Sequence, residues 1–434
     1  MRTAVVLFTR DLRVHDNPAL AAAAEEAERV LPLFVLDETI LGCFGASNRL
    51  AFLGEALRDL SDSLGGLALR RGETVAETVR LAQQVEAGAV YFAEDASSFA
   101  RRRERRLREQ LDVRVFPSLS VVDPGDVLTS SGGHYRVFTP YWRAWREAGR
   151  RPVLQPPRAR LPDGVDLGRL PDLGAGDSPA RLRGGATEGR SRLSRFLDGQ
   201  LQAYEERADD LAASATSRLS PYLHFGCVSP LEVAERAAAS ETFVRQLCWR
   251  DFFLQFLAAH PTTPREDYRE RRAGWRDDPE GLQAWKEGRT GYPIVDAGMR
   301  QLAAEGWMPN RARLIVGSFL TKTLRLGWRE GAAHFFDLLV DGDLASNVGN
   351  WQWVAGTGVD PRPNRVLNPI RQARRFDADG EYVRRHVPEL AEVDGGAVHE
   401  PWRLERPPGD YPERIVDRDA SGSSGPHERR RRRA

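Results

Sequence analysis

Residues 291–376 concentrate the side chains able to do chemistry. The stretch carries Trp328, Trp351 and Trp353, two carboxylates two apart (Asp341, Asp343), several Asn and several Arg, set among helix-forming apolar residues. An unpaired buried carboxylate is very costly, so Asp341 and Asp343 must be capped, paired or turned toward something polar. The plainest role puts them in the loop before a helix, with Asp343 or Ser346 as N-cap of a segment running through Trp353. Trp351 and Trp353 are then i and i+2, about 200° apart around that helix. One can pack on a buried partner while the other lines a cavity, which suits a flat cofactor on one side and an aromatic ligand on the other.

The elements that position these residues divide the chain. In the first third, short apolar runs (TAVVLF, VLPLFVLD, LALRRG, AVYFAED, VRVF) read as strands. Helical segments fall between them, over 20–29, 47–64, 75–86 and 97–111. Such alternation predicts an α/β domain with a doubly wound parallel sheet, whose ligands lie at the carboxyl ends of the strands. Asn17 before Pro18 is an N-cap and N1 pair. Neither GxGxxG nor a Walker sequence follows the first strand, so no dinucleotide or NTP phosphate loop is indicated. The Arg run 101–108 reads as a solvated helix face. Residues 130–185 are rich in Pro, Gly and Arg without sustained period and read as a long interdomain linker. From 186 strand signals vanish, and eight of the ten Trp lie after residue 240. The expected domains are 1–129 (α/β), 130–185 (linker), 186–417 (all-α) and a disordered basic tail, 418–434.

Composition excludes several classes. Net charge is +1, so nucleic-acid contact must come from a local patch rather than bulk charge. Lys286 and Lys322 are the only lysines; Arg carries the rest of the positive charge, a bias that also suits phosphate binding. Cys43, Cys227 and Cys248 are scattered, which indicates neither a disulfide framework nor a metal site and points to a reducing compartment. Arg10, Asp11 and Arg13 interrupt the N-terminal apolar run before it can act as a signal peptide, and no stretch is long enough to span a membrane. The expectation is a cytoplasmic monomer with no obligate protein partner.

Long motifs then recur in a familiar order: GYPIVDAGMRQL (291–302), GWMPNRARLIVGSFL (306–320), WREG (328–331), DGDLASN (341–347) and NWQW (350–353). This run resembles the flavin-binding region of the DNA photolyase and cryptochrome family, closest to the class I cyclobutane pyrimidine dimer photolyases. The likeness extends from TRDLRVHDNPAL (9–20) to VHEPW (398–402). It implies a C-terminal FAD-binding domain and light-driven repair of UV-damaged DNA, a carbon–carbon lyase reaction. The alternative within the family is a blue-light receptor with little repair activity.

The resemblance assigns FAD contacts to Tyr204, the TSRLS run (Thr216, Ser217, Arg218, Leu219, Ser220), Phe243, Arg250, Asn310, Arg313, Asp341, Gly342, Asp343 and Asn347. The hydroxyls and N–H groups of TSRLS, at an expected helix start, suit a pyrophosphate. Arg313 and Asp341 would pair beside the ring. Asn347 matches the position facing the ring nitrogen whose protonation changes on one-electron reduction; a neutral amide there leans toward repair. Trp351, Trp328 and Trp275 match the family's electron relay, although scattered Trp are more often packing residues. Gln246 and Trp249, i and i+3 on one helix, join Trp353, Arg250, Asn310, Arg311, Leu314, Arg365 and Gln372 as substrate or DNA contacts. Two positions depart from many dimer-repairing relatives, which carry Glu where Gln246 stands and Met where Leu314 stands. Pro309 and Asn310 replace the His pair of the (6-4) lineage, which excludes that chemistry. Phe99 and Ala100 stand where a folate-binding Asn-Glu pair is found, which favours 8-hydroxy-5-deazaflavin over methenyltetrahydrofolate as antenna. No metal site is expected.

Overall fold

Five short runs, all but the third containing β-branched or aromatic residues, form the strands β1 (Thr3–Leu7), β2 (Arg29–Leu36), β3 (Ala68–Arg71), β4 (Ala89–Ala93) and β5 (Val113–Phe116). β1 and β4 are buried along their whole length, the mark of a sheet covered on both faces. All pairings are parallel in the order β3-β2-β1-β4-β5, with Thr3 opposite Arg29 and Ala4 opposite Ala89. The strand order reverses between β1 and β4, which makes their carboxyl ends a topological switch point. Val5, Leu7, Leu31, Leu33, Val90 and Phe92 belong to the core cluster of the sheet.

The computed structural model describes residues 1–270, 274–360 and 362–417; the expected basic tail lies outside the described residues. Two compact units are distinguished. The first comprises Met1–Glu205, Ser217–Glu266 and Phe336–Gly349; the second comprises Glu206–Thr216, Asp267–Phe335 and Asn350–Ala434.

In the first unit the expected caps are present: Asn17 accepts from the Leu20 amide and Pro18 opens the helix Pro18–Glu26. A short helix, Glu38–Phe44, lies outside the expected segments; Asp37 caps it by accepting from the Thr39 and Ile40 amides. In the Arg run, Arg103 is buried over the Phe92 ring, while Arg106 and Arg108 pair with Glu73 and Glu104 at the surface. The stretch 130–185 is irregular except for the helix Phe138–Glu147. That helix forms because Phe138, Tyr141, Trp142 and Trp145 fall on one face and are buried together. Its partner is the long helix Glu241–Ala259, capped by Ser240.

Among the described residues the second unit contains no strand. It is built from helices including Pro279–Lys286, Pro293–Glu305, Asn310–Ser318 and Pro369–Phe376. Asn310–Ser318 continues directly into a π-helical turn, Phe319–Leu324, ended by left-handed Arg325. Among the described residues no helix is long and apolar enough to cross a membrane, and no group of three or more His, Cys, Asp or Glu could hold a metal.

Candidate flavin and substrate site

The DGD loop is held from the first unit's own N-terminal segments. Asp343 accepts the Ser346 amide at 2.8 Å through Oδ1, capping the helix Leu344–Ala355. Its other oxygen accepts from Arg10 Nη2 at 2.5 Å, and the same guanidinium donates to Asp95 at 3.2 Å. Burial works against the ionised carboxylate, but the Arg10 and Arg250 guanidinium groups outweigh it and hold Asp343 well below the usual carboxylate range. Burial likewise opposes the charge on Arg10, which Asp343 and Asp95 more than restore. His224, desolvated and beside Arg10, is kept neutral; its Nδ1 has no hydrogen-bond partner among the described residues. Arg49 donates to the carbonyls of Phe336 and Leu339, and Asn48 Nδ2 to that of Leu338. A Cβ on Gly342 would stand 2.6 Å from the Arg49 guanidinium, so the DGD glycine is a close-approach position.

The other cofactor candidates of this unit lie as follows. Tyr204 and Phe243 are buried in edge-to-face contact, 5.1 Å apart, with Phe196 completing the trio. In TSRLS, Arg218 takes a left-handed conformation (φ 52°), Ser217 Oγ accepts from the Leu219 amide at 3.3 Å, and Ser220 opens the short helix Ser220–His224. Arg250 donates to the carbonyls of Leu119 and Leu223, so its charge is directed inward. Asp341 is buried, and Asn347 is half-buried on the 344–355 helix.

FAD is a long dianion with a planar ring and needs phosphate donors, polar contacts at the ring edge and exclusion of water. The donor set fits. Hydroxyls at 216, 217 and 220 flank a left-handed turn, Asp341 and Asp343 are buried, and Asp343 stands one helix turn before Asn347. Arg10, Asn48 and Arg49 were not assigned by sequence reading. Arg10 lies in a motif that could have signalled it, whereas nothing in the sequence near residues 48 and 49 points to residues 336–343.

In the second unit Trp275, Trp328 and Trp351 are arranged along one helix start. Trp328 is 1% exposed and donates its Nε1–H to Asp267 at 2.8 Å; Arg329 joins the same carboxylate at 3.0 Å. Trp275, half-buried, lies beside Gly327, immediately before Trp328. The Trp351 ring rests on Gly331, one turn after Trp328, where any Cβ would overlap it. Trp275 and Trp351 therefore contact the 328–338 helix just before and one turn after the middle indole. Phe335 and Trp285 meet Trp351 edge-on at 4.9 and 6.1 Å. Trp353 points elsewhere, half-buried, with the exposed Arg365 over its ring at 5.4 Å. The opposed faces expected of Trp351 and Trp353 are thus observed.

The remaining candidates are dispersed. Arg311 pairs with Asp209 and lies over Phe376 at 4.2 Å. Arg313 Nε donates to the Met308 carbonyl at 2.9 Å, Asn310 is exposed at the start of its helix, and Leu314 is half-buried. Gln372 Oε1 is buried with no hydrogen-bond partner among the described residues. In the first unit Gln246 is exposed and Trp249 half-buried, three residues apart on the 241–259 helix.

The described residues thus give an α/β unit with a buried polar loop and a helical unit with an indole series. The comparisons resolve the class: the description "DNA photolyase" matches residues 4–161, and "FAD binding domain of DNA photolyase" matches residues 243–425. The chain belongs to the DNA photolyase and cryptochrome family. It is 51% identical to a deoxyribodipyrimidine photo-lyase of Streptomyces griseus, covering 96% of this chain and 97% of that protein. A bacterial class III photolyase from Agrobacterium tumefaciens superposes with TM-score 0.89 at 35% identity, covering 96% of this chain and 95% of that one. A cryptochrome of Synechocystis sp. PCC6803 superposes with TM-score 0.88 at 28% identity, covering 96% and 97%. The fold is therefore shared by photolyases and a cryptochrome, and membership of class I does not follow from it.

Proposed function

We propose that this chain is a light-driven deoxyribodipyrimidine photo-lyase that splits cyclobutane pyrimidine dimers in DNA. The observation that carries the reading is Trp249, a half-buried indole with Gln246 one turn earlier on the exposed face of the 241–259 helix; in the second unit, described by itself, Trp353 is half-buried with Arg365 over its ring. Flat faces beside hydrogen-bonding groups suit extruded bases, and flipping is the general device of enzymes that act on a base, photolyases among them. The near full-length similarity to a photo-lyase supports the same reading.

When bound, reduced FAD supplies on excitation the electron that opens the cyclobutane ring. The chain's own residues do the rest. Asp343, held ionised by Arg10, keeps a fixed acceptor at the DGD loop. Asn347 offers an amide that neither adds charge nor supplies a ready proton. The indoles Trp275, Trp328 and Trp351 lead inward from a half-buried position to buried ones, the order that an electron relay to a bound flavin requires. Gln246 hydrogen-bonds a pyrimidine edge without adding charge, and arginines such as Arg365 position the strand through phosphates without reading sequence.

An antenna pigment completes the proposal. A cavity of ≈ 320 Å³ opens beyond the carboxyl ends of β4 and β5, lined by Glu94, Asp95, Arg101, Leu119, Leu254 and Ala258 among others. Its position agrees with the ligand rule for doubly wound sheets. With Phe99 and Ala100 on the adjoining helix in place of an amide and a carboxylate, 8-hydroxy-5-deazaflavin is the favoured occupant.

The test is to illuminate the reduced, FAD-loaded protein with dimer-containing DNA and count dimers removed per absorbed photon. Efficient repair is expected. Tight FAD binding with negligible repair would instead favour the receptor reading.

A further inference from the structure

Trp249 has only one face to offer a ligand. Phe138 lies flat on the other, with ring centroids 3.6 Å apart and planes within 3°. Phe252 meets the indole edge-on at 5.7 Å, and Phe253 leans against it at 5.6 Å. A cation completes the assembly: the Arg245 guanidinium stands over Phe138 at 5.3 Å and reaches Trp142 at 6.0 Å. Because Trp249 occupies one face of Phe138, Arg245 takes the other. Arg245 and Trp249 are i and i+4 on the 241–259 helix, so Phe138 is a plate inserted between two successive turns.

Two rings left to themselves avoid this arrangement. Their quadrupoles favour an offset or edge-on pair over an aligned sandwich, and here the short centroid distance leaves almost no offset. The surroundings impose the alignment. Phe138 is 7% exposed, anchored by the helix whose Tyr141 and Trp145 are fully buried, and a guanidinium over its outer face is attracted by the ring's negative potential. Trp249 therefore cannot tilt toward Phe138, and the phenylalanines at its edges restrict rotation in its own plane.

We propose that Phe138 is a positioning residue for recognition of the damaged bases: it sets the plane of Trp249, so that the uncovered indole face is a rigid platform for an extruded pyrimidine dimer. The inference rests on the assignment of Trp249 to the substrate wall. A platform ordered before binding loses little side-chain entropy when the ligand arrives. Removing the plate behind it lets the indole tilt into the vacated space and lose its parallel contact with the bases. Affinity for undamaged DNA, carried by phosphate contacts, does not depend on that plane.

The test is equilibrium binding in the dark, with the FAD-loaded full chain and oligonucleotides of one sequence with and without a dimer, at one salt concentration. Phe138→Leu lowers the ratio of the two affinities about tenfold, within the range base stacking supplies, and leaves the undamaged value unchanged. Phe138→Met, whose unbranched chain adapts to an irregular gap but offers no flat surface, gives a similar loss, and Phe138→Tyr restores the ratio. FAD content and melting temperature identify a variant that has misfolded; Phe138→Met then carries the test. If Trp249→Ala abolishes discrimination while Phe138→Leu and Phe138→Met retain it, the inference is overturned and the role of Trp249 stands. If Trp249→Ala itself leaves discrimination intact, the substrate-wall assignment fails and takes the inference with it.

Discussion

Asp343 is a carboxylate with two tasks, one oxygen capping a helix and the other clamped by Arg10. Arg10→Met leaves two acidic groups without their cation. A fully buried pair broken this way costs about 3–5 kcal/mol, and the quarter exposure of the Arg10 side chain reduces that to roughly 2–3 kcal/mol. The denaturation midpoint is expected to fall and FAD to be released at lower denaturant than in the parent chain; unchanged values for both would show that the clamp contributes nothing. Asp251 behaves in the opposite sense. Burial pushes its pKa from 3.8 up to about 6, against the stabilising effect of Arg250 and the Trp145 indole N–H, which donates to Oδ2 at 2.9 Å. Between those values the folded chain binds a proton that the unfolded chain has released, so this group's contribution falls as pH rises from about 4 to 6. The rise is worth roughly 3 kcal/mol at 1.36 kcal/mol per pKa unit. Asp251→Asn keeps an acceptor for the Trp145, Val121 and Val122 N–H groups and removes the ionisation. Denaturant titrations at pH 4.5 and 7.5 are expected to show the variant gaining on the parent at the higher pH.

At the scale of elements, the proposed relay requires the 328–338 helix to be narrow where an indole lies on it. Gly331 meets that need, since Trp351 occupies the space of its missing Cβ. Gly331→Ala is expected to displace the Trp351 ring and slow light-driven reduction of the cofactor about tenfold, the cost of about 1.4 kcal/mol in barrier. Repair by chemically reduced protein should be spared. Trp351→Phe should abolish photoreduction with the same sparing, and loss of both activities would mark Trp351 as a packing residue. The helix Phe138–Glu147 carries a different lesson. Its surroundings of Pro, Gly and Arg hid it inside an apparent linker, yet four aromatic residues at helical spacing were enough to form it and bury one face.

For the whole molecule, a net charge of +1 means that affinity for DNA comes from local arginines rather than from the overall field. The cavity proposed for an antenna pigment lies within the first unit and can be altered by itself. Ala258→Trp fills it, and the purified variant is expected to lose the antenna's absorption while retaining stoichiometric FAD and repair driven by light that FAD absorbs directly. An unchanged absorption spectrum would place the pigment elsewhere.

The strands, their parallel pairing, the helical C-terminal half and the family were legible in the chain itself, because period, caps and long motifs are local properties that neighbouring residues impose on one another. The opposed faces of Trp351 and Trp353 followed from helix geometry alone. Contacts across hundreds of residues were not legible: Arg10 on Asp343, Asn48 and Arg49 on residues 336–339, Phe138 flat against Trp249. Nothing within either partner's segment encodes the other. Only when the β1 loop, the start of the 47–64 helix and residues 336–349 fold into one unit are such pairs made, and burial then decides which carboxylates stay charged.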